Sequence, residues 1–380
     1  MTPERSPEMI PPPAATTASG EAAPDPAPGH RPQEPEHGSA RAVLRAVSFR
    51  NISAIYLLLV LFVVFALWVP DTFLQGATFK SLLTDNAEVA MLAIGLVLPL
   101  AAGVVDLAIG SELGLGAIVV AWLLVTHGVP IVPAIVLTII AGCLVGLING
   151  WLVVRVKIDS FIATIAMQFV LLAVIDWVSN SEQIINLSPA FQSIAATQVF
   201  GIGLPVYLML VLGLIVWYVL DRTPLGRRVY ATGGNIEAAR LAGVRVNWVV
   251  IGSLVACAGI AAISGLLVSA NLGTGDPTIG PSYLLPAYSA AFLGSTQFRN
   301  GRVNVWGTVI ATYVLALGVK GLQLAGGPVW IPNMFDGVAL LVAVGMAKYE
   351  AGSARTRAIR RILRFDRPDT PASVEGAAGD

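Results

Sequence analysis

The chain has 380 residues, of which 56% are apolar and 12% charged, with 23 basic residues against 23 acidic ones. Soluble domains carry about 25% charged residues, so this composition excludes an ordinary globular enzyme, and the mean hydropathy of +0.76 calls for a chain solvated largely by lipid. Zero net charge and the lack of a Lys/Arg stripe with interleaved aromatics exclude a nucleic-acid binder.

Residues 1–40 hold 10 of the 24 prolines and no apolar periodicity, which predicts a disordered tail over 1–45. It is not read as a secretory signal, because no apolar run precedes Arg50. His30 and His37 are solvated tail residues on this reading. From Ile52 onward apolar stretches alternate with short polar ones. A membrane-crossing helix needs about 20 residues, and ten crossings are expected: 52–69, 89–105, 112–126, 131–154, 160–178, 205–220, 248–270, 280–294, 305–324 and 331–346. The eighth is short and carries Pro281 and Pro286, so it is expected to be broken, tilted or re-entrant. Beyond residue 348 a basic tail follows, in which 354–367 reads either as an amphipathic helix on the inner leaflet or as solvated chain. The expected class is an all-α polytopic membrane protein, with its transmembrane body at 46–348.

Cytoplasmic loops retain Lys and Arg. With the N-terminus inside, ten crossings, or eight with two re-entrant pieces, put 21 basic and 16 acidic residues on the inner side and 2 and 7 on the outer side. The overall neutrality is thus a topology signal, and it predicts that both termini are cytoplasmic. Cys143 and Cys257 both lie in apolar runs, which excludes a disulfide framework or a cysteine metal cluster.

Asp106 to Ser111 and Asp276 to Pro281 share Asp-x-x-Ile-Gly, and each interrupts two apolar segments. Corresponding interruptions in oppositely oriented halves predict an inverted repeat that pairs crossings two to five with seven to ten. Asp106 reads either as a polar group at a pathway or gate, or as a cap holding the amide of Ala108 or Ile109. Gly142, Gly146 and Gly150 make a groove on one helical face, where another backbone packs closely. Gly110, Ser111, Asn149, Thr164, Met167, Gln168, Asp276 and Thr278 are the other polar or small candidates for a pathway. Lys320 and Asp336 are expected to pair across the last hairpin, and His127 to be an interfacial residue.

The longest inner loop, 221–247, contains Gly233, Gly234, Asn235, Ile236 and Glu237, then Ala238, Ala239, Arg240, Leu241, Ala242 and Gly243. Asn235 is an N-cap, Glu237 suits the helix dipole and Gly243 is a stop, which predicts a two-turn helix over 236–242. That helix is too short to be stable alone. It is either a surface turn or an element ordered by a partner.

Glu237 to Gly243 resembles the cytoplasmic loop of permease subunits in ATP-driven (ABC) importers. The run from Thr223 to Asn235 is similar to ribose-type monosaccharide permeases, and so are the segments at Asp106–Ser111, Asn149–Gly150, Phe161–Thr164, Gly275–Thr278 and Val305–Thr308. The chain departs from that pattern at Ala102-Gly103, at Leu284-Leu285-Pro286 and at 297–301. The resemblance implies that Gly233, Gly234, Asn235, Glu237, Ala238, Ala239 and Gly243 couple to a separate ATPase subunit, which uses ATP and Mg. It also implies an external solute-binding protein, a second permease chain, a sugar or polyol as solute, and residence in the cytoplasmic membrane of a bacterium. The chain has no Gly-rich loop ending in Gly-Lys-Ser/Thr, so no nucleotide cofactor of its own is expected. The alternative is a self-contained secondary carrier. An intramembrane enzyme would need a nucleophile with a base, or a metal set, and neither motif is present.

Overall fold

The computed structural model describes residues 53–295 and 302–345. The tails at 1–45 and from 349, with the segment at 297–301, lie outside the described residues, and so do the readings made of them. In chain order the elements are α1 (Ser53–Trp68), α2 (Pro70–Phe73), α3 (Gly76–Asp85), α4 (Ala87–Ala102), α5 (Ile109–Ala121), α6 (Ile131–Trp151), α7 (Ser160–Ser179) and α8 (Pro189–Ala196). A small hairpin, β1 (Gln198–Val199) with β2 (Ile202–Gly203), leads to α9 (Leu204–Arg222), α10 (Pro224–Gly234) and α11 (Ile236–Leu241). The last four are α12 (Val246–Leu272), α13 (Gly280–Ser295), α14 (Val305–Leu324) and α15 (Ile331–Gly345).

Among the described residues, seven helical stretches are long and apolar enough to cross a membrane: Gly76–Ala102, Ile109–Thr126, Ile131–Val156, Ser160–Ser179, Leu204–Arg222, Val246–Leu272 and Val305–Leu324. Helices α1, α13 and α15 are apolar but shorter. The protein is an all-α polytopic membrane protein, and each expected crossing falls on one of these helices. The second begins at Gly76 rather than near 89, because α3 and α4 run on as one stretch of 27 residues. Three elements had no apolar signature to announce them: α8, the hairpin and α10.

The core forms around α12, whose most apolar window is 72% buried, against 22% for α6 and α7. The difference is what a lipid-facing outer layer around a protein-packed centre requires. Small residues let α12 sink between its neighbours. A Cβ on Gly142 would stand 2.6 Å from the Ala262 Cβ, one on Gly146 2.5 Å from the Leu254 carbonyl oxygen, and one on Gly150 2.9 Å from the Ile251 Cα. The glycine groove of α6 therefore receives the α12 backbone, the close packing that its four-residue spacing predicts.

The helix contacts come in matching sets. Helix α12 lies on α5 and α6, and its counterpart α4 lies on α13 and α14; α5 packs on α6 as α13 packs on α14. Both interruptions are also built alike. Asp106 Oδ1 accepts from the Ala108 amide at 3.1 Å, and Asp276 Oδ1 accepts from the Thr278 amide at 2.8 Å. The equivalent glycines that follow, Gly110 and Gly280, lie against each other.

Candidate functional site

Helix α11 is built from its caps. The Asn235 side chain accepts from the Ala238 amide at 3.0 Å. At the other end the Gly243 amide donates to the Arg240 carbonyl, and the Val244 amide to the Ala239 carbonyl, each at 3.0 Å, with Gly243 at φ +81°. This pair of bonds around a left-handed glycine is the Schellman arrangement, and it stops the helix at Leu241. Glu237 and Arg240 form an exposed ion pair at 3.1 Å. Ala239 is the one buried residue of α11, while Leu241 is 90% exposed. Gly234 has open space where a Cβ would be.

Gly233 ties this segment to the helix bundle. A Cβ there would overlap the Ala101 carbonyl and lie 3.0 Å from the Gly103 nitrogen. Ala101 and Gly103 mark the end of α4, where Gly103 at φ +81° turns the chain into the first interruption. The Tyr230 hydroxyl adds a second tie by donating to the Val303 carbonyl at 3.0 Å, just ahead of α14.

Irregular backbone survives at membrane depth only where its polar groups are satisfied by protein or water. Between Gly103 and Ile109 the partners come from the fold. The Val104 amide donates to Pro99, Val105 to Ser160 Oγ, Leu107 to Thr164 Oγ1 and Ala108 to Asp106 Oδ1, at 3.0 to 3.2 Å. The Asp106 carbonyl accepts from the Tyr288 hydroxyl at 2.8 Å. Asp106 is fully buried, and its Oδ1 holds the amide of Ala108, as one of the two readings of this residue has it.

Beside it lies Glu112, fully buried and hydrogen-bonded through Oε1 to Asn149 Nδ2 at 3.1 Å. Asp106 Oδ2, Ser111 Oγ, Glu112 Oε2 and Asn149 Oδ1 are buried without a partner among the described residues. These groups lie on the first half of the chain, and Tyr288 of α13 reaches them from the second through the Asp106 carbonyl. The contacts that Glu112 and Tyr288 make here are not apparent from the sequence. The one available signal was a carboxylate directly after Ser111 in an otherwise apolar run.

The remaining candidates are dispersed. Thr164 is buried and its hydroxyl donates to Ser160 while accepting from Leu107. Gln168 and Met167 are half-buried on α7. Asp276 binds Thr278 and the Gln183 amide at the second interruption, where Gly275 and Ile184 exchange backbone hydrogen bonds. His127 stacks edge-on against Trp122. Lys320 and Asp336 do not pair: the one ion pair among the described residues is Arg240–Glu237. Instead they line one cavity together with Asp85. Among the described residues no group of three His, Cys, Asp or Glu is placed to hold a metal.

Residues 78–344 match the family described as branched-chain amino acid transport system / permease component. The chain is 30% identical over 292 residues to the ribose import permease protein RbsC of Haemophilus influenzae, covering 76% of this chain and 90% of the relative. It is 32% identical over 276 residues to RbsC of Bacillus subtilis, covering 72% and 85%. It is 28% identical over 360 residues to the xylose transport system permease protein XylH of Escherichia coli, covering 78% and 91%. No solved structure matches the chain. With a family match across most of its length and relatives covered almost end to end, the chain belongs to this family of transport-system permease components.

Proposed function

We propose that the chain is the transmembrane permease subunit of an ATP-driven (ABC) importer. It carries a monosaccharide or related polyol across the cytoplasmic membrane of a bacterium, with both termini cytoplasmic. The chain itself catalyses no reaction. ATP is hydrolysed in a separate subunit, an external solute-binding protein delivers the solute, and a second permease chain completes the path.

The observation that carries this reading is the contact of Gly233 with Ala101 and Gly103. A displacement of α11 by a partner reaches α10, and α10 is seated on the end of α4 at the point where the chain breaks towards Asp106. Close-packed interiors transmit such displacements rather than absorb them. The exposed face of α11, with Leu241, Glu237 and Arg240, supplies an apolar contact and two charges for a cleft in the ATPase subunit. The proposed solute class follows the relatives named for ribose and xylose import. Of the polar groups expected along a pathway, Gln168 is half-buried on α7, whereas Asn149 and Thr164 are fully buried.

The test is to isolate the full chain in mild detergent and to measure uptake over pentoses, hexoses and polyols. An ATPase subunit is expected to co-purify, and Glu237→Lys is expected to abolish ATP-dependent uptake. Ion-driven uptake without an ATPase would establish a secondary carrier instead.

A further inference from the structure

A cavity of about 240 Å³ opens at the end of the bundle opposite α10 and α11. Its position follows from the helix directions. Asp85 and Asn86 stand where α3 passes into α4, whose other end meets Gly233. Lys320 and Gln323 stand in the last turns of α14, whose first turns lie near Tyr230. Asp336 completes the wall from α15. The cavity therefore sits between α4 of the first repeat and α13, α14 and α15 of the second, a junction of the two halves.

Its chemistry is mixed in a way that a structural core is not. Two carboxylates, one ammonium, two amides and Thr312 line a space whose remaining wall is apolar, including Pro286 and Leu315. The charged groups do not close on one another, since no ion pair joins Asp85, Lys320 or Asp336 among the described residues. Asp85 is exposed, Lys320 half-buried and Asp336 buried, and charges held at such a wall are steadied by whatever polar groups meet them. Sugar hydroxyls both donate and accept, so a carboxylate, an ammonium and an amide each find a partner on the same ring. Two carboxylates against one ammonium leave the wall net negative, which disfavours phosphorylated or carboxylated solutes.

We infer that this cavity is the first binding site within the membrane domain for a neutral monosaccharide. Asp85 and Asp336 accept from its hydroxyls, Lys320 donates to them, and Asn86 and Gln323 do both. The inference rests on the sugar-permease reading above and adds to it a location and a set of residues.

The experiment uses the full importer in cells, with a panel of neutral sugars that includes D-ribose and D-xylose. Asp85→Asn and Lys320→Gln are made singly and together. Uptake of the sugar carried by the parent should fall roughly tenfold or more in the double variant, the loss expected for two charge-assisted hydrogen bonds. Membrane abundance and co-purification of the ATPase subunit should be unchanged. As an independent readout, Val89→Cys, on the cavity wall, should be alkylated by a membrane-impermeant maleimide and protected by that sugar. A parent that imports a sugar while the variants keep uptake within about twofold, with labelling indifferent to sugar, overturns the cavity assignment alone. A parent that imports amino acids and no sugar overturns both the assignment and the sugar reading.

Discussion

Gly110 and Gly280 occupy the same place in the two Asp-x-x-Ile-Gly segments, and each is the other's closest obstacle. A Cβ on Gly280 would stand 2.6 Å from the Gly110 carbonyl oxygen, and one on Gly110 would stand 2.9 Å from that of Gly280. The two interruptions therefore meet backbone to backbone, with no side chain between these two glycines. Gly110→Ala and Gly280→Ala should each force α5 and α13 apart, at a cost of roughly 1–3 kcal/mol. Because one separation relieves both clashes, the double variant should lose less than the sum of the singles. Thermal unfolding in detergent checks this, and strict additivity would mean that the two sites relax independently.

Gly233 and Gly234 are neighbours with opposite surroundings, and they separate packing from mere flexibility. Gly233 is pressed on Ala101, whereas a Cβ on Gly234 would meet nothing within 4 Å. Gly233→Ala should uncouple α10 from α4 and lower ATP-dependent uptake while the ATPase subunit still binds. Gly234→Ala should be neutral, or stabilise by a few tenths of a kcal/mol to roughly 1 kcal/mol through the more restricted unfolded chain. Equal losses in the two variants would show that the segment needs glycine for conformational freedom and not for its seat on α4.

What was legible in the sequence is what depends on local order along the chain. Apolar runs marked the spanning helices, and Asn235 with Gly243 marked both ends of α11, because caps are made within a few residues. The four-residue glycine spacing marked the groove that receives α12. Contacts across the fold were not legible. Glu112 and Asn149 meet although 37 residues separate them, and nothing in either neighbourhood announces the other. Thr164 was visible as a polar residue in a span, but its role in satisfying the Leu107 amide depends on where α7 lies. Lys320 and Asp336 were expected to pair because a hairpin brings their helices together. Which way two side chains turn across a cavity is set by packing with Asp85 and α13, which chain order does not encode.

The caps of α11 give a graded test of its role. Asn235→Ala removes the bond to the Ala238 amide and should cost the helix about 1 kcal/mol, while Asn235→Asp should retain the cap. Gly243→Val places a β-branched residue at φ +81° and should cost roughly 1–3 kcal/mol. All of this falls on an exposed segment, so the melting point of the isolated permease should move little. Retention of the ATPase subunit through purification, and ATP-dependent uptake, should fall in the order Asp, Ala, Val. Loss of uptake in Asn235→Asp equal to that in Gly243→Val would mean that a side-chain contact, and not helix order, is what the partner reads.

The buried pair of Glu112 and Asn149 predicts which polar group the fold needs. Glu112 Oε1 accepts from Asn149 Nδ2 while Oε2 has no partner among the described residues, so an amide in place of the carboxylate keeps the hydrogen bond and removes any cost of a buried charge. Glu112→Gln should therefore leave thermal stability unchanged or raise it. Asn149→Leu strands Glu112 Oε1 in a dry interior and should cost roughly 1–3 kcal/mol. Replacing both by leucine should recover part of that loss, because no polar group is then left unpaired. Thermal unfolding of the three variants in detergent decides the matter: if Glu112→Gln destabilises as much as Asn149→Leu, the carboxylate itself is what the junction of the two halves requires.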